Sequence, residues 1–239
     1  MFGWSKFLVV GVLLWITLFS VKVFAKGYEG IPLDHRNPMT PNSLIRVKVF
    51  PHKVNYPPHG KDVVTNTVSL RAAKACRQYR GSQSKAWRVG KALRRLSRFT
   101  FNTATLSEPV YLRCGGTVVV DRAEGPDYTY TGSFYIRKVR GKLEVINLVS
   151  MQQYLRGVVP SEVYSHWPAE ALKTQAIAAR TYAAYHLASS RKMKRRFYDV
   201  DDTVQFQAYT GITNVTRKTD AAVTNTRGVV LTYNGNIIH

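Results

Sequence analysis

The chain has 239 residues, 45% of them hydrophobic, and its mean hydropathy is −0.20. This composition excludes an intrinsically disordered chain and provides enough residues for one large domain or two small ones. Lysine and arginine number 35 against 14 acidic residues, so the formal net charge is +21. Such an excess predicts an anionic partner, and charge alone suggests nucleic acid first.

Residues 1–25 have the pattern of a secretory signal peptide. Lys6 supplies the positive charge, residues 7–21 form an uncharged apolar run, and Val23-Phe24-Ala25 offers a small-residue cleavage pattern. The run is shorter than the about 20 residues of a spanning helix, and an uncleaved anchor is the alternative. Both interpretations predict an exported chain, and export argues against a nucleic-acid partner.

The two cysteines, Cys76 and Cys114, leave two possibilities open. An oxidising compartment would join them in one disulfide, and otherwise both would be buried thiols. They lack Cys-x-x-Cys spacing, so they do not form a metal-binding framework.

The first half of the chain is predicted to be rich in β-strands. Residues 26–42 contain much Gly and Pro and no apolar period, which predicts a linker. Arg71–Arg80 is predicted as a helix. Trp87–Phe101 fits a helix or strand with a solvated basic side, or alternatively a helix that binds nucleic acid or a membrane surface. Alternation elsewhere predicts a mostly antiparallel sheet, with strands at 44–50, 63–70, 110–113, 117–121, 128–139 and 143–149.

Two helices are predicted around one acidic residue, Glu162. The Ser150–Gln153 capping box predicts a helix from Met151, and Gly157–Pro160 predicts its end within two turns. An alanine-rich helix is predicted over Pro168–Ser189, as the buried spine of the domain.

The remaining chain adds smaller elements. The basic run Arg191–Arg196 fits a solvated helix end, with an anion-binding segment as the alternative. Thr219-Asp220 predicts the start of a short helix, and residues 228–233 predict a strand. Asn234-Gly235 indicates a type I′ hairpin whose partner strand begins at Asn236. The predicted fold is α+β, a mostly antiparallel β N-terminal half packed on the alanine-rich helical spine, with a C-terminal hairpin.

By position alone, Glu162 is more typical of a solvated loop carboxylate or a helix cap than of a catalytic group. A carboxylate held between two helices and partly desolvated would nevertheless suit a general acid. The sequence has no nucleophile elbow, P-loop, dinucleotide fingerprint or zincin spacing.

Several motifs of the second half stand in a fixed order. They are Tyr154–Glu162 (YLRGVVPSE), Trp167-Pro168, Arg180–Ala183 (RTYA), Gln207–Tyr209 (QAY) and Leu231–Gly235 (LTYNG). Together they resemble the signature of the SpoIID/LytB family, which contains stage II sporulation protein D and the amidase enhancer. The resemblance predicts one domain over residues 43–239, with a β-rich half at 43–149 and a catalytic-like half at 150–239.

The resemblance implies a peptidoglycan substrate and a place in the periplasm or cell-wall space of a bacterium. In stage II sporulation protein D, the glutamate matching Glu162 is the catalytic acid of a lytic transglycosylase, so the resemblance implies this role for Glu162. One carboxylate suffices there because the 6-hydroxyl of muramic acid displaces the leaving group, whereas most glycosidases need two carboxylates. Strands stripped of stem peptides expose lactyl carboxylates, which fits the basic charge. The alternative is a non-catalytic protein that binds peptidoglycan and enhances a cell-wall amidase.

The resemblance also implies substrate-binding residues. Gln207 and Tyr209 match positions near the substrate groove, and Tyr154 and Tyr182 are candidates for stacking on sugars, although core packing is equally compatible. Arg180 lies inside the alanine-rich helix and needs a partner. A structural ion pair with Glu162, Asp199 or Asp202 is favoured over a substrate carboxylate.

The sequence departs from the family in two places. Some members bind zinc through Cys and His in the segment resembling Tyr198–Tyr209. Here the matching positions hold Asp201, Gln205 and Phe206, so we expect no metal and no other cofactor. Members also continue beyond the last hairpin, so the resemblance predicts a domain that is shortened at its C-terminus.

Overall fold

The computed structural model describes residues 43–49, 66–80, 94–121, 126–193 and 197–238. Within these ranges a large, mostly antiparallel sheet precedes three helices and a small hairpin, which confirms the α+β prediction. The predicted signal peptide, the linker and the side chains of the basic run 191–196 lie outside the described residues.

Nine strands of the described chain form one sheet. They are β1 Leu44–Val49, β2 Thr67–Arg80, β3 Arg94–Asn102, β4 Val110–Arg113, β5 Val118–Val120, β6 Tyr128–Tyr130, β7 Ser133–Val139, β8 Lys142–Ser150 and β9 Val200–Asp201. Their order is β6-β5-β2-β4-β7-β8-β1-β9, and β3 pairs with the other edge of β2. The pairing is antiparallel except between β1 and β9.

The predicted helix at Arg71–Arg80 is wrong, because this segment is the second part of β2. Cys76 and Gln78 point into the core while Arg77 between them is exposed, an alternation with the period of a strand. Three neighbouring strands satisfy the backbone of β2, and this long-range pairing overrides local helix propensity. The part of Trp87–Phe101 that is described, from residue 94, is also a strand.

The two cysteines form a disulfide between β2 and the residue after β4. Cys76 and Cys114 are 38 positions apart in sequence, with Cα atoms separated by 4.3 Å. The bond therefore closes a long loop that contains all of β3 and β4, and it settles the choice between a disulfide and two thiols.

The helices are α1 Met151–Glu162, α2 Ala169–Met193 and α3 Arg217–Asn225. Ser150 caps α1 by accepting a hydrogen bond from the Gln153 amide at 3.2 Å. The predicted stop at Gly157–Pro160 is wrong, since α1 continues to Glu162. The Ser161 hydroxyl donates to the Gly157 carbonyl at 2.7 Å, so this last turn has an additional hydrogen bond beside the proline.

The remaining helix boundaries differ by a few residues. Helix α2 begins one position after Pro168 and ends at Met193, beyond the predicted end. Helix α3 begins at Arg217, not at Asp220, because Thr216 is the cap and Thr219 completes a capping box with it. The hairpin of β10 Thr232–Tyr233 and β11 Asn236–Ile237 confirms the predicted turn. Asn234 and Gly235 both have positive φ, 47° and 76°, as a type I′ turn requires.

The core lies between the inner face of the sheet and the helices. Its strand side includes Ile45, Leu112 and Ile136, and α2 contributes Ala176 and Ala183 among other buried small residues. The predicted buried spine is therefore confirmed. A second, small cluster lies apart from this core, made of Tyr135, Ile146 and Leu148 with Tyr111 and Phe197 packed against them. No helix in the described ranges is long and apolar enough to cross a membrane.

Helix α1 makes a close backbone contact at Gly157. A Cβ atom at this position would lie 2.1 Å from the Gly211 carbonyl oxygen and 2.6 Å from the Tyr209 ring. Only glycine therefore allows α1 to pack against the segment 209–211, although glycine is unfavourable inside a helix.

Replacing both cysteines, Cys76→Ala/Cys114→Ala, should lower the free energy of unfolding by about 4 kcal/mol. The disulfide joins residues 38 positions apart, and without this cross-link the unfolded chain gains conformational entropy. Denaturant unfolding with and without a reductant measures this. The reductant should lower the wild-type midpoint and leave the variant unchanged. An unchanged wild-type midpoint would contradict the stabilising role.

Gly157→Ala should lower the free energy of unfolding by about 1–3 kcal/mol, the usual cost of overpacking, despite alanine's higher helix propensity. Denaturant unfolding measures the change. Gly115→Ala is the matched control, since its Cβ would meet no atom within 4 Å. Equal stability of both variants would show that the contact between α1 and segment 209–211 tolerates an added methyl group.

Candidate functional site

Glu162 is the last residue of α1 and stands at the start of the turn to α2. Its Oε1 atom accepts a hydrogen bond from the Ala208 amide at 2.6 Å. The residue as a whole is exposed in the unliganded protein. The turn lies at the surface, and the Ala208 amide is the main-chain donor that orients the carboxylate.

The segment 201–210 positions that donor. Asp201 is 8% exposed and accepts from the Thr203 amide at 3.0 Å and the Thr203 hydroxyl at 2.6 Å, which forms a local turn. The Tyr209 amide donates to the Asp202 carbonyl at 3.4 Å and closes the loop. The Ser161 and Thr210 hydroxyls, 2.9 Å apart, join this loop to the end of α1.

Glu162 lies at a pocket of about 330 Å³. Ala178 and Ala179 of α2 form part of its wall, and Leu231 and Ile238 contribute from the hairpin region. The remaining lining residues are Gln175, Thr181, Tyr182, Phe206 and Gln207. Among these described residues Glu162 is the single acid, so the pocket combines one carboxylate with amide, hydroxyl and apolar groups.

Two predicted substrate-binding residues, Tyr182 and Gln207, line this pocket. The Tyr182 hydroxyl donates to the Gln205 carbonyl at 3.4 Å. Burial raises the pKa of Tyr182, and the charges of Asp201 and Glu162 add to this effect, so the hydroxyl remains protonated at neutral pH. Gln207 is 7% exposed and donates to the Ala179 carbonyl at 3.3 Å, which holds its amide against α2.

Tyr154 and Tyr209 belong to the core and do not reach the pocket surface. Their exposures are 0% and 2%, and their ring centroids are 5.0 Å apart. Tyr154 donates to the Gln207 side chain at 3.2 Å, and Tyr209 donates to Asn147 at 2.9 Å. Burial raises the pKa of both hydroxyls. The burial of both side chains therefore favours the alternative of core packing.

Arg180 binds the end of α3 instead of a carboxylate. It is 3% exposed and donates to the carbonyls of Val223 at 3.2 Å and Val229 at 3.0 Å, and to the Thr226 hydroxyl at 3.3 Å. The carbonyls at a helix C-terminus carry partial negative charge and satisfy a cation. Burial lowers the pKa of Arg180 to about 10, so it remains charged at neutral pH.

The predicted ion pair of Arg180 with Glu162, Asp199 or Asp202 is consequently wrong. Asp199 pairs with Arg46 of β1 at 2.5 Å and accepts a hydrogen bond from Ser190. This buried carboxylate joins β1 to the chain that follows α2, a tertiary contact that spacing in sequence does not reveal.

The turn between α1 and α2 presents exposed aromatic rings, of which the sequence motifs included Trp167 but not Tyr164. Tyr164 is 70% exposed and Trp167 is 42% exposed. The Tyr164 ring stacks on His166 with centroids 5.5 Å apart, and its centroid is 6.4 Å from that of Trp167. Tyr164, His166 and Trp167 all lie within five residues of Glu162, and this local density of aromatic residues could have identified the cluster from the sequence. The Ala208 amide has no such signal, because it is a main-chain group.

Known proteins are similar to the second half of this chain. The family model of the stage II sporulation protein SpoIID matches residues 139–233. An uncharacterized protein of Brachyspira hyodysenteriae is 38% identical over 110 residues, which cover 46% of this chain and 29% of the relative. The amidase enhancer of Bacillus subtilis is 40% identical over 84 residues, which cover 35% of this chain and 10% of the relative.

Stage II sporulation protein D of Bacillus subtilis is 34% identical over 102 residues, which cover 38% of this chain and 30% of the relative. The chain thus matches less than a third of the length of each of these relatives. The matched region contains α1, α2, the segment 201–210 and Glu162. Residues 139–233 thus match the SpoIID family model, and all the residues that line the Glu162 pocket except Ile238 lie in this range.

Proposed function

We propose that this protein is a lytic transglycosylase that cleaves the glycan strands of peptidoglycan, with Glu162 as its single acid and base. The observation that carries the proposal is the pocket with one oriented carboxylate. Glu162 receives the Ala208 amide at 2.6 Å and is the single acid among the described lining residues. A two-carboxylate glycosidase would need a second acid facing the same bond.

The proposed reaction needs only this one carboxyl group. Protonated Glu162 donates its proton to the glycosidic oxygen as the bond from that oxygen to C1 of muramic acid breaks. The 6-hydroxyl of the same muramic acid then forms a bond to C1, and the Glu162 carboxylate takes the hydroxyl proton. The products are a free 4-hydroxyl on one fragment and a 1,6-anhydro end on the other. No water is consumed.

The pocket has groups that suit a sugar. Gln175 and Gln207 offer amides for hydrogen bonds, and Ala178 with Phe206 offers apolar surface for ring carbons and acetyl methyl groups. Tyr164 and Trp167 continue beyond Glu162 as exposed rings on which a further sugar could stack. A bound strand would cover the carboxyl group that is exposed in the unliganded protein.

Two further observations support an extracytoplasmic, cell-wall role. The disulfide between Cys76 and Cys114 is typical of oxidising compartments. The similar proteins of Bacillus subtilis are named for sporulation and for enhancement of an amidase. The latter name motivates the alternative, in which the same pocket binds glycan without cleaving it and the protein enhances a cell-wall amidase.

Glu162→Gln should abolish the formation of 1,6-anhydromuramic ends, because glutamine can neither donate nor remove the proton. Mass spectrometry of denuded and intact glycan strands after incubation with the full chain measures this. Glu170→Gln is the matched control: this carboxylate is exposed in the first turn of α2, bonds Lys173 at 2.7 Å and lies outside the pocket. It should retain activity.

The binding and cleavage outcomes separate the two functions. Wild-type protein that binds strands and produces no anhydro ends would refute the transglycosylase and support the enhancer. Equal cleavage by wild type and Glu162→Gln would remove Glu162 from the mechanism. Thermal unfolding of each variant verifies that a loss of activity is not a loss of fold.

Tyr164→Ala/Trp167→Ala should weaken strand binding about tenfold, since each ring stacked on a sugar contributes about 0.5–1 kcal/mol. Binding is measured in the Glu162→Gln background, where no strand is cleaved. Tyr164→Phe/Trp167→Phe is the matched control, because it keeps two aromatic rings and should retain most of the affinity. Unchanged binding by the alanine variant would exclude these rings from the site.

A further inference from the structure

Three arginines form an exposed row across strands β3, β2 and β4. Arg77 pairs directly with Arg95 of β3 on one edge and with Arg113 of β4 on the other. Directly paired residues of antiparallel strands point to the same face. All three side chains are exposed, and Arg77 stands between the buried Cys76 and Gln78. This arginine row is therefore exposed to solvent.

The row carries positive charge that no described carboxylate neutralises. Within the described ranges, no ion pair involves Arg77, Arg95 or Arg113. The contrast within β2 is direct. Arg71 lies near the start of β2 and forms ion pairs with Asp121 at 2.7 Å and with Asp127 at 2.6 Å. Arg71 and Arg80 of β2 thus have carboxylate partners, whereas no described carboxylate pairs with the row.

This arrangement is unfavourable for the isolated protein. Like charges placed directly opposite each other on neighbouring strands are destabilising. A bound polyanion would remove this repulsion and gain charge-assisted hydrogen bonds at the same time.

We propose that the arginine row is a second binding site for peptidoglycan, which takes the lactyl carboxylates of denuded glycan strands. The inference rests on the proposed function for the identity of the polymer. The row is linear, and Arg95 and Arg113 are separated by about 10 Å between Cα atoms, two strand spacings. A line of guanidinium groups suits a linear polymer with carboxylates at regular intervals, and each guanidinium can bind a carboxylate bidentately.

The row lies outside the region that carries the Glu162 pocket. It belongs to β2, β3 and β4, whereas the SpoIID match covers residues 139–233. A strand held at both sites, or two strands held by one protein, would bind more tightly than through the pocket alone. The row thus holds polymer, and the pocket performs the chemistry.

A membrane surface is the competing partner for a basic face, and the structure favours the polymer. Peripheral membrane binding normally combines cations with apolar side chains that insert between lipids. Of the described residues of β2, β3 and β4, Leu96, at 37%, is the single exposed large hydrophobic residue. The arrangement is therefore a charged line without an apolar surface for insertion.

The test uses the full chain with Glu162→Gln, so that cleavage plays no part. The row variant is Arg77→Gln/Arg95→Gln/Arg113→Gln. The matched control, Arg217→Gln/Lys218→Gln/Arg227→Gln, removes the same charge from exposed positions at α3. Affinity is measured for denuded glycan strands, for the same strands with amidated carboxylates, and for anionic phosphatidylglycerol vesicles.

We expect the row variant to bind denuded strands about tenfold more weakly at low salt, the effect of three exposed charged pairs, and the control to change less than about threefold. Amidation of the strands should remove this difference between the row variant and its parent. The row variant should be at least as stable as its parent, because the like-charge repulsion is gone.

Four outcomes would overturn the proposal. They are an unchanged affinity of the row variant, an equal loss in the α3 control, a row effect that persists on amidated strands, and a row effect on vesicles without one on glycan. The first result would leave the pocket and its chemistry untouched. Conversely, a Glu162→Gln protein that shows the row effect while wild type forms no anhydro ends would refute only the transglycosylase.

Discussion

The contact between helix α1 and the segment 208–212 is the constraint on which the candidate site depends. At Gly157 the helix backbone approaches this segment so closely that no side chain fits between them. One turn later Ser161 meets Thr210, and Glu162 meets the Ala208 amide. The segment is fixed from its other side as well, because the Ile212 amide donates to the Thr129 carbonyl at 2.6 Å. The orientation of Glu162 therefore follows from backbone packing and not from a neighbouring side chain.

The distribution of charge separates two kinds of cation in this protein. Arg180 and Arg46 are held inside the fold, one by the carbonyl end of α3 and the other by the buried Asp199. These arginines stabilise the junctions between helices and sheet. Arg77, Arg95 and Arg113 stand outside the core without a described counter-charge. The positive charge of the chain is thus partly structural and partly presented to solvent, and only the second part can serve an anionic partner.

Sequence patterns predicted the elements that rely on local chemistry. Ser150 caps α1, the alanines of α2 are buried, and Asn234-Gly235 makes the hairpin turn. The predictions were wrong where contacts with residues distant in sequence determine the structure. Arg71–Arg80 is a strand because β3, β4 and β5 pair with it, and Arg180 reaches α3, 43 positions further along at Val223. Of the predicted site, Tyr182 and Gln207 line the pocket with Glu162, whereas Tyr154 and Tyr209 support it from within the core.

The amino-acid sequence by itself determined the fold class, the helical spine and the final hairpin. These depend on short-range periodicity, caps and turns, which a linear pattern contains. Tertiary structure alone decided which tyrosines are buried, which carboxylate holds which arginine, and that a main-chain amide orients Glu162. It also decided that three arginines distant in sequence form one row. These features depend on strand register and backbone approach, and both arise only when segments distant in sequence pack together.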